Sequence, residues 1–230
     1  MSKNKLKKYA EVEQLSNVIE LTDFNEDAEK PKGRWKERVF QNDKPITLEL
    51  ACGKGEYTVA LAEKYPDSNF IGIDIKGDRI WRGAKRAQEK ELDNVRFLRI
   101  SIDHLEQYFG QAEVEEIWIT FPDPFEKRKK RKRRLTSPKF LSIYNKILRP
   151  GGFINLKTDS DVLFNYTLEV LEELEQPIER CITDIYKDFP DDEWLTLKTY
   201  YEKQHLEEGR IIKFVRFRLS PETLERYMTD

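Results

Sequence analysis

Residues 116–136 read EIWITFPDPFEKRKKRKRRLT, and the rest of the chain is organised around this stretch. It opens with a short apolar run, Ile117–Phe121, whose residues favour strands, so a β-strand is predicted there. Pro122 and Pro124 follow, and because proline interrupts both helices and central strands, the chain must turn. The turn therefore presents Asp123 between two residues whose φ angles are fixed.

Eight consecutive basic residues, Lys127–Arg134, follow this turn almost at once. The whole chain has a formal net charge of −2, so the run is a local positive patch on a nearly neutral protein. Such a patch favours docking of a polyanion at one place over general adhesion. A solvated charged loop is the alternative interpretation, because charge runs are commonly of that kind.

Strand-like and helix-like segments alternate along most of the chain. Besides the strand before the turn, six more are predicted, at Ile46–Ala51, Phe70–Ile75, Val95–Ile100, Phe153–Lys157, Ile178–Tyr186 and Ile211–Leu219. Helical segments are predicted at Glu56–Tyr65, Asp78–Leu92, Leu105–Phe109 and Val162–Leu174, with a further helix that begins at Ser137-Pro138. This alternation indicates an α/β fold with a doubly wound, mainly parallel seven-stranded sheet. Residues 1–44 lack a sustained period and are interpreted as an N-terminal arm, and residues 45–230 as one domain.

Composition narrows the functional classes. Of the 230 residues, 38% are hydrophobic and 37% charged, and no apolar run approaches the roughly 20 residues of a membrane span. Cys52 and Cys181 are the only cysteines, which favours a reducing cytoplasm over a disulfide framework. The two histidines, His104 and His205, are far apart, so no metal site is expected.

Candidate binding residues follow the ends of successive strands, where doubly wound sheets bind their ligands. Gly53 and Gly55 form a G-x-G turn that lets a ligand approach the backbone, but the third glycine of a dinucleotide fingerprint is missing. Asp74, about 20 residues further on, suits a ribose diol. Glu49 lies inside the first strand and suits a cationic amino group, since an unpaired buried carboxylate is costly. A salt bridge from Glu49 to a nearby lysine is the alternative.

Two sets of motifs resemble known families. The acidic first strand, the G-x-G turn and the acidic end of the second strand are similar to class I methyltransferases that use S-adenosylmethionine. The block Ile119–Thr136, with LKTD at Leu156–Asp159 and TYYE at Thr199–Glu202, resembles the bacterial tRNA (guanine-N7)-methyltransferases over roughly Lys32 to Leu219. The resemblance implies a Rossmann-like fold, S-adenosylmethionine as cofactor, and methylation of guanine N7 in the variable loop of tRNA, which Lys127–Arg134 would grip. Monomer and homodimer both remain open.

The resemblance also implies roles for individual residues. Asp123 takes the catalytic position and contacts the cofactor. The other cofactor-binding positions are Glu49, Gly53, Gly55, Asp74, Ser101 and Ile102. Ser101 stands where an acidic residue is common, so either Ser101 or Asp103 is expected to contact the adenine. The residues expected to face the substrate are Lys127, Asp159, Thr199, Tyr200, Tyr201 and Glu202.

The chemistry is consistent with these side chains. Guanine N7 has a free lone pair and carries no proton, so methylation there needs no strong general base. A fixed carboxylate offsets the charge that develops on the purine, and Asp123 is the candidate. Asp159 and Glu202 are candidates to accept hydrogen bonds from guanine N1–H and the exocyclic amine, without a fixed assignment. Phe125 and either Tyr200 or Tyr201 suit base stacking, with core packing as the alternative.

Two other functions compete with this interpretation. An exocyclic-amine methyltransferase is one, because Pro-Asp-Pro-Phe loosely resembles the proline-rich turn of such enzymes. The basic run is not part of that chemistry. A non-enzymatic RNA-binding protein on a methyltransferase fold is the other, and the intact set of Glu49, Asp74, Asp123 and Asp159 argues against it. A nicotinamide dehydrogenase is disfavoured by the missing third glycine.

Overall fold

A single mixed sheet forms the centre of the molecule. The computed structural model describes residues 3–20, 30–220 and 222–224. The sheet has eight strands, in the order β1-β4-β3-β2-β5-β6-β8-β7. Their bounds are β1 Val18–Glu20, β2 Ile46–Leu50, β3 Asn69–Ile73, β4 Val95–Arg99, β5 Val114–Thr120, β6 Leu148–Thr158, β7 Ile178–Ile182 and β8 Lys213–Phe217. Among the strands of the described residues, only the pairs that involve β8 are antiparallel.

Helices cover both faces of the sheet. They are α1 Lys3–Val12, α2 Glu56–Lys64, α3 Gly77–Glu89, α4 Leu105–Tyr108, α5 Pro138–Ile147, α6 Asp161–Glu173, α7 Ile185–Asp188 and α8 Tyr200–Glu207. One apolar cluster includes buried residues of α2 and α3, and the other includes those of α4, α5 and α6. Alternate residues of β5 reach opposite clusters, with Ile117 and Ile119 in one and Trp118 in the other, as the period of a strand requires.

The chain order reverses between β2 and β5. From β2 the sheet grows through β3 and β4 in one direction, and from β5 through β6 in the other. β2 and β5 are parallel, with Leu50 opposite Ile119, so the loops that follow them leave the same edge. This is the topological switch point at which such sheets bind ligands.

The doubly wound, mainly parallel sheet is confirmed, and it has eight strands rather than seven. The additional strand, β1, comes from the predicted N-terminal arm and pairs with β4. The strand predicted at Ile178–Tyr186 is wrong beyond Ile182, because the Asp184 carboxylate accepts the N–H groups of Tyr186 and Lys187 and so begins α7. The last strand is shorter than the predicted Ile211–Leu219.

Other described parts of the N-terminal arm also pack on the body. Trp35 is fully buried, stacks on Phe109 at 5.0 Å and donates its indole N–H to the carbonyl of Tyr108. Helix α1 lies against α3, where Glu11 accepts the Trp81 indole N–H at 2.6 Å. None of the helices in the described ranges combines the length and apolar character needed to cross a bilayer.

Candidate functional site

Three cavities meet at the carboxyl ends of β2 and β5. A narrow cavity of about 80 Å³ reaches Glu49 and the G-x-G turn. A second, of about 350 Å³, is bounded by Asp74, Ser101, Ile102 and Leu135, among others. A wide cleft of about 1170 Å³ opens beside them and includes Asp159. Residues 121–123 connect all three, because Phe121 lines the narrow cavity and the cleft while Pro122 and Asp123 line the 350 Å³ cavity and the cleft.

Glu49 is a buried carboxylate without a cationic partner. One oxygen accepts the Thr58 N–H at 2.8 Å and the Thr58 hydroxyl, and the other accepts the Thr120 hydroxyl at 2.6 Å. Among the described residues no lysine or arginine pairs with it, so the alternative salt bridge is absent there. Burial outweighs these hydrogen bonds and raises the pKa of Glu49 to about 7. A cation beside this carboxylate would favour its ionised form, and the described residues place none there.

The glycine turn and Asp74 form the next part of the wall. Gly53 has φ +57° and Gly55 has φ +66°, the left-handed region that glycine tolerates. A side chain at Gly55 would collide with Phe97, whose Cζ would lie 2.7 Å from an added Cβ. A side chain at Gly53 would meet only open space within ordinary contact distance, apart from the Ala51 carbonyl at 4.0 Å. The Asp74 carboxylate accepts the N–H groups of Gly53 and Lys76, each at 2.9 Å, and keeps further lone pairs.

Ser101, Ile102 and Asp103 all line the 350 Å³ cavity. The Ser101 hydroxyl donates to Asp103 at 3.1 Å, and Lys139 forms an ion pair with the same carboxylate. The hydrogen bond from Lys139 is the largest cause that lowers the pKa of Asp103. Both candidates for the adenine contact are therefore present at one wall, and the choice between them stays open.

The turn after β5 is held in an unusual backbone conformation. Phe121 and Phe125 have φ angles of +46° and +41°, values that cost energy for residues with a side chain. Asp123 is exposed, and its Oδ1 accepts the Phe125 N–H at 2.9 Å. Arg134 fixes the turn from behind, because it donates to the carbonyl of Pro124 at 2.9 Å and to that of Phe125 at 3.2 Å.

The basic run does not act as a uniform set. Arg128–Arg133 form a short 3₁₀ helix, and Lys127 to Lys130 are exposed. Arg134 differs from the exposed residues of the run, because it is buried and donates to the turn through Nε and Nη2. Its part in the phosphate grip remains a proposal. Lys132 and Arg133 border the 350 Å³ cavity.

Helix α8 forms the opposite wall. The Thr199 hydroxyl accepts the Glu202 N–H at 3.2 Å and thus caps the helix, which was not predicted as a helix. Tyr200 and Tyr201 are half-exposed, with the Lys54 ammonium 4.4 and 4.9 Å from their ring centres. Tyr201 lines both the narrow cavity and the cleft.

Glu202 differs from its neighbours because it is fully buried. It pairs with Lys157, equally buried, at 2.7 Å and accepts the Tyr186 hydroxyl at 2.7 Å. In this arrangement the carboxylate anchors α8 to β6 and does not line the cleft. Its expected contact with the substrate remains a proposal that requires this pair to open.

Asp159 lies in the cleft with two partners that the sequence analysis did not identify. Arg210 donates to its Oδ2 at 2.6 Å, and His205 Nδ1 lies 3.6 Å from its Oδ1. A helical assignment of the TYYE segment would have revealed His205, because residues four positions apart, such as Tyr201 and His205, share one helix face. No motif or spacing in the sequence indicates that Arg210 contacts Asp159.

Comparisons with known proteins agree with this architecture. A family model of methyltransferases matches residues 43–215. The tRNA (guanine-N(7)-)-methyltransferase of Christiangramia forsetii is 49% identical over 95% of this chain and 99% of its own length. The enzyme of the same name from Bacteroides thetaiotaomicron is 45% identical over 96% of this chain and 88% of its own. This chain belongs to the tRNA (guanine-N7)-methyltransferase family.

The solved structures support the fold. The 16S rRNA methyltransferase KamB superposes with a TM-score of 0.63 over 84% of this chain and 95% of its own, at 16% identity. The curated relatives and the family model confirm the resemblance to the tRNA (guanine-N7)-methyltransferases that the sequence motifs indicated. In this methyltransferase the predicted cofactor residues except Gly55 border two connected cavities, and Asp159 and Tyr201 border the cleft. Lys127 lies outside all three.

Proposed function

We propose that this methyltransferase transfers the methyl group of S-adenosylmethionine to N7 of a guanine in tRNA, in the variable loop. The observation that carries the proposal is the buried, cation-free Glu49 carboxylate, connected through residues 121–123 to an open cleft that holds Asp123. Family membership supplies the nucleotide and the class of RNA. Cys52 and Cys181 are both free, which agrees with a reducing cytoplasm.

The residues present fit the cofactor. Glu49 would hold the cationic amino group, Asp74 the ribose hydroxyls, and Ser101 and Ile102 the base in the 350 Å³ cavity. Gly53 leaves its space open for close approach to the backbone. When bound, S-adenosylmethionine supplies an electrophilic methyl group on a sulfonium. No group of three or more His, Cys, Asp or Glu that suits a metal occurs in the part of the chain described.

The residues of the cleft orient the acceptor and tolerate its charge. Guanine N7 needs no base, so the protein has to align it, and alignment of that kind lowers a barrier by several kcal/mol. Asp123 stands at the junction of cofactor cavity and cleft, where a fixed carboxylate offsets the positive charge developing on the purine. Asp159 offers acceptors to N1–H and the exocyclic amine, and Tyr201 offers a stacking face.

Cofactor binding should depend on pH through Glu49. Its pKa of about 7 means that the carboxyl is largely protonated at pH 5.5 and becomes increasingly ionised towards pH 7. The amino group of the ligand stays charged in this range, since α-amino groups titrate near about 7.7–8.0. Affinity for S-adenosylmethionine, measured by calorimetry, is therefore expected to rise with pH between about 5.5 and 7.

Glu49→Gln provides the control for this pH effect. The amide keeps the size of the side chain but loses the charge, so affinity should fall by about 1.5 kcal/mol or more, roughly tenfold. The remaining affinity should not vary over the same pH range. A variant that retains the wild-type pH profile would show that Glu49 does not hold the amino group.

The proposed reaction is tested by incubating the protein with labelled S-adenosylmethionine and unmodified tRNA, followed by nuclease digestion and nucleoside analysis. We expect 7-methylguanosine, mapped by fragment analysis to the variable loop. A methyl group on an exocyclic amine would instead support the competing methyltransferase. Absence of cofactor binding in a titration would support a non-enzymatic RNA-binding protein.

A further inference from the structure

Helix α3 presents three distinct faces. Ile80, Ala84 and Ala87 are fully buried in the core cluster that lies on one side of the sheet. A second face, with Trp81 and Lys85, is covered by α1, from which Glu11 contacts both residues. The side chains on these two faces of α3 are therefore explained by packing, one face against the core and the other against α1.

The third face consists of exposed arginines. Arg79, Arg82 and Arg86 are spaced by three and four residues, so they follow one another along a single side of the helix. All three are exposed, and over seven residues they span about 10 Å of the helix axis. We call them the α3 arginine stripe.

The stripe lacks the acidic partners that other cations of the same region have. Lys85 pairs with Glu11 at 3.6 Å, and Lys90, just beyond the helix, pairs with Glu63 at 2.5 Å. No carboxylate among the described residues forms an ion pair with Arg79, Arg82 or Arg86. In a protein whose net charge is −2, these three guanidinium groups are thus left without an ion-pair partner among the described residues.

The stripe begins at the site. Arg79 lines both the narrow cavity and the wide cleft, and Arg82 and Arg86 continue outward from it along α3. Pro124 and Glu126 line the same cleft from the turn after β5, and the basic run starts at the next residue, Lys127. Two positively charged surfaces, the α3 arginine stripe and the basic run after β5, therefore extend from the same cleft.

We propose that the α3 arginine stripe is a second binding surface for the sugar-phosphate backbone of the substrate tRNA, separate from the basic run. Guanidinium groups bind phosphates through two parallel N–H donors, and free arginines aligned beside a nucleotide-binding cleft suit the strand that leads to the target base. The inference rests on the proposed function, because it takes tRNA as the polyanion. Backbone contacts of this kind position the RNA without reading its sequence.

The test uses the full chain with Arg82→Ala and Arg86→Ala combined, leaving Arg79 in the cleft unchanged. Filter binding to unmodified tRNA across a salt series should show affinity lowered about tenfold. The slope of log K against log salt should fall by about 1.4–1.8, since each lost phosphate contact contributes about 0.7–0.9. Affinity for S-adenosylmethionine and the melting temperature should equal those of the wild type, which shows that the variant folds.

Lys146→Ala combined with Arg149→Ala is the matched control. Lys146 lies in the last turn of α5 and Arg149 at the amino end of β6, on the edge of the sheet opposite the cleft, and their replacement changes the net charge by the same amount. The control should bind tRNA like the wild type. If the stripe variant keeps the affinity and salt slope of the control, while the wild type forms 7-methylguanosine, the inference is wrong and the proposed function stands. If the wild type forms none, the proposed function itself fails.

Discussion

Replacing Asp123 by alanine is expected to slow methyl transfer by about 10² or more, comparable to the loss of one electrostatic partner of a transition state. The side chain is exposed at the junction of the 350 Å³ cavity and the cleft. The negative charge of the Asp123 carboxylate can therefore stabilise the positive charge that develops on the purine during methyl transfer. The measurement is single-turnover methylation of tRNA at saturating enzyme and cofactor, with tRNA binding measured in parallel and expected to persist.

Two further variants separate charge from shape. Asp123→Asn can still accept the Phe125 N–H that stabilises the turn, but it carries no charge, so it should be about as slow as the alanine variant. Glu126→Gln makes the same chemical change three residues on, at another exposed carboxylate that borders the cleft but not the cofactor cavity. It should retain nearly the full rate. An asparagine variant as fast as the wild type would exclude electrostatic stabilisation by Asp123.

Removing part of the basic run should weaken tRNA binding and leave the cofactor site intact. Arg128, Lys129 and Lys130 are exposed and do not border the cofactor cavities. Their combined replacement by alanine should weaken tRNA binding by about 10² and lower the salt slope by about 2–3, at about 0.7–0.9 per phosphate. Filter binding over a salt series measures both quantities.

The control for the basic run removes three positive charges from the amino edge of the sheet, at Lys44, Lys146 and Arg149. This variant should bind tRNA with nearly the wild-type affinity and slope. Calorimetry should give the same affinity for S-adenosylmethionine in both triple variants. An unchanged salt slope in the Arg128, Lys129 and Lys130 variant would mean that the exposed run does not contact phosphates.

Much of the architecture could be predicted because each long strand is marked by residues that are adjacent in the sequence. Parallel strands buried on both faces give apolar runs such as Phe70–Ile75, and proline or glycine marks their ends. β1 was missed because three residues at the sheet edge, all only half-buried, produce no such run. The positions of the candidate cofactor residues could be predicted for the same reason, since Glu49 lies in β2 and the others follow the end of β2, β3, β4 or β5.

The direction of a side chain was much harder to predict than its position along the chain. Glu202 was placed with its exposed neighbours, although it turns inward to Lys157, which lies 45 residues away in the sequence. Arg210 reaches Asp159 across 51 residues. Tertiary packing brings these partners together, and no periodicity or spacing in the local sequence predicts which residues will pair.

The position of Arg134 limits how this region of the chain can vary. Lysine and arginine are interchangeable where a side chain only adds positive charge to water-exposed surface, as at Lys129 and Lys130. Arg134 instead bonds two backbone carbonyls at once from a buried guanidinium. A lysine ammonium is a compact point charge without that planar fork, so it would leave the fold of the turn incompletely supported. Among the eight basic residues of the run, Arg134 therefore meets a structural requirement that is set by backbone geometry and not by charge alone.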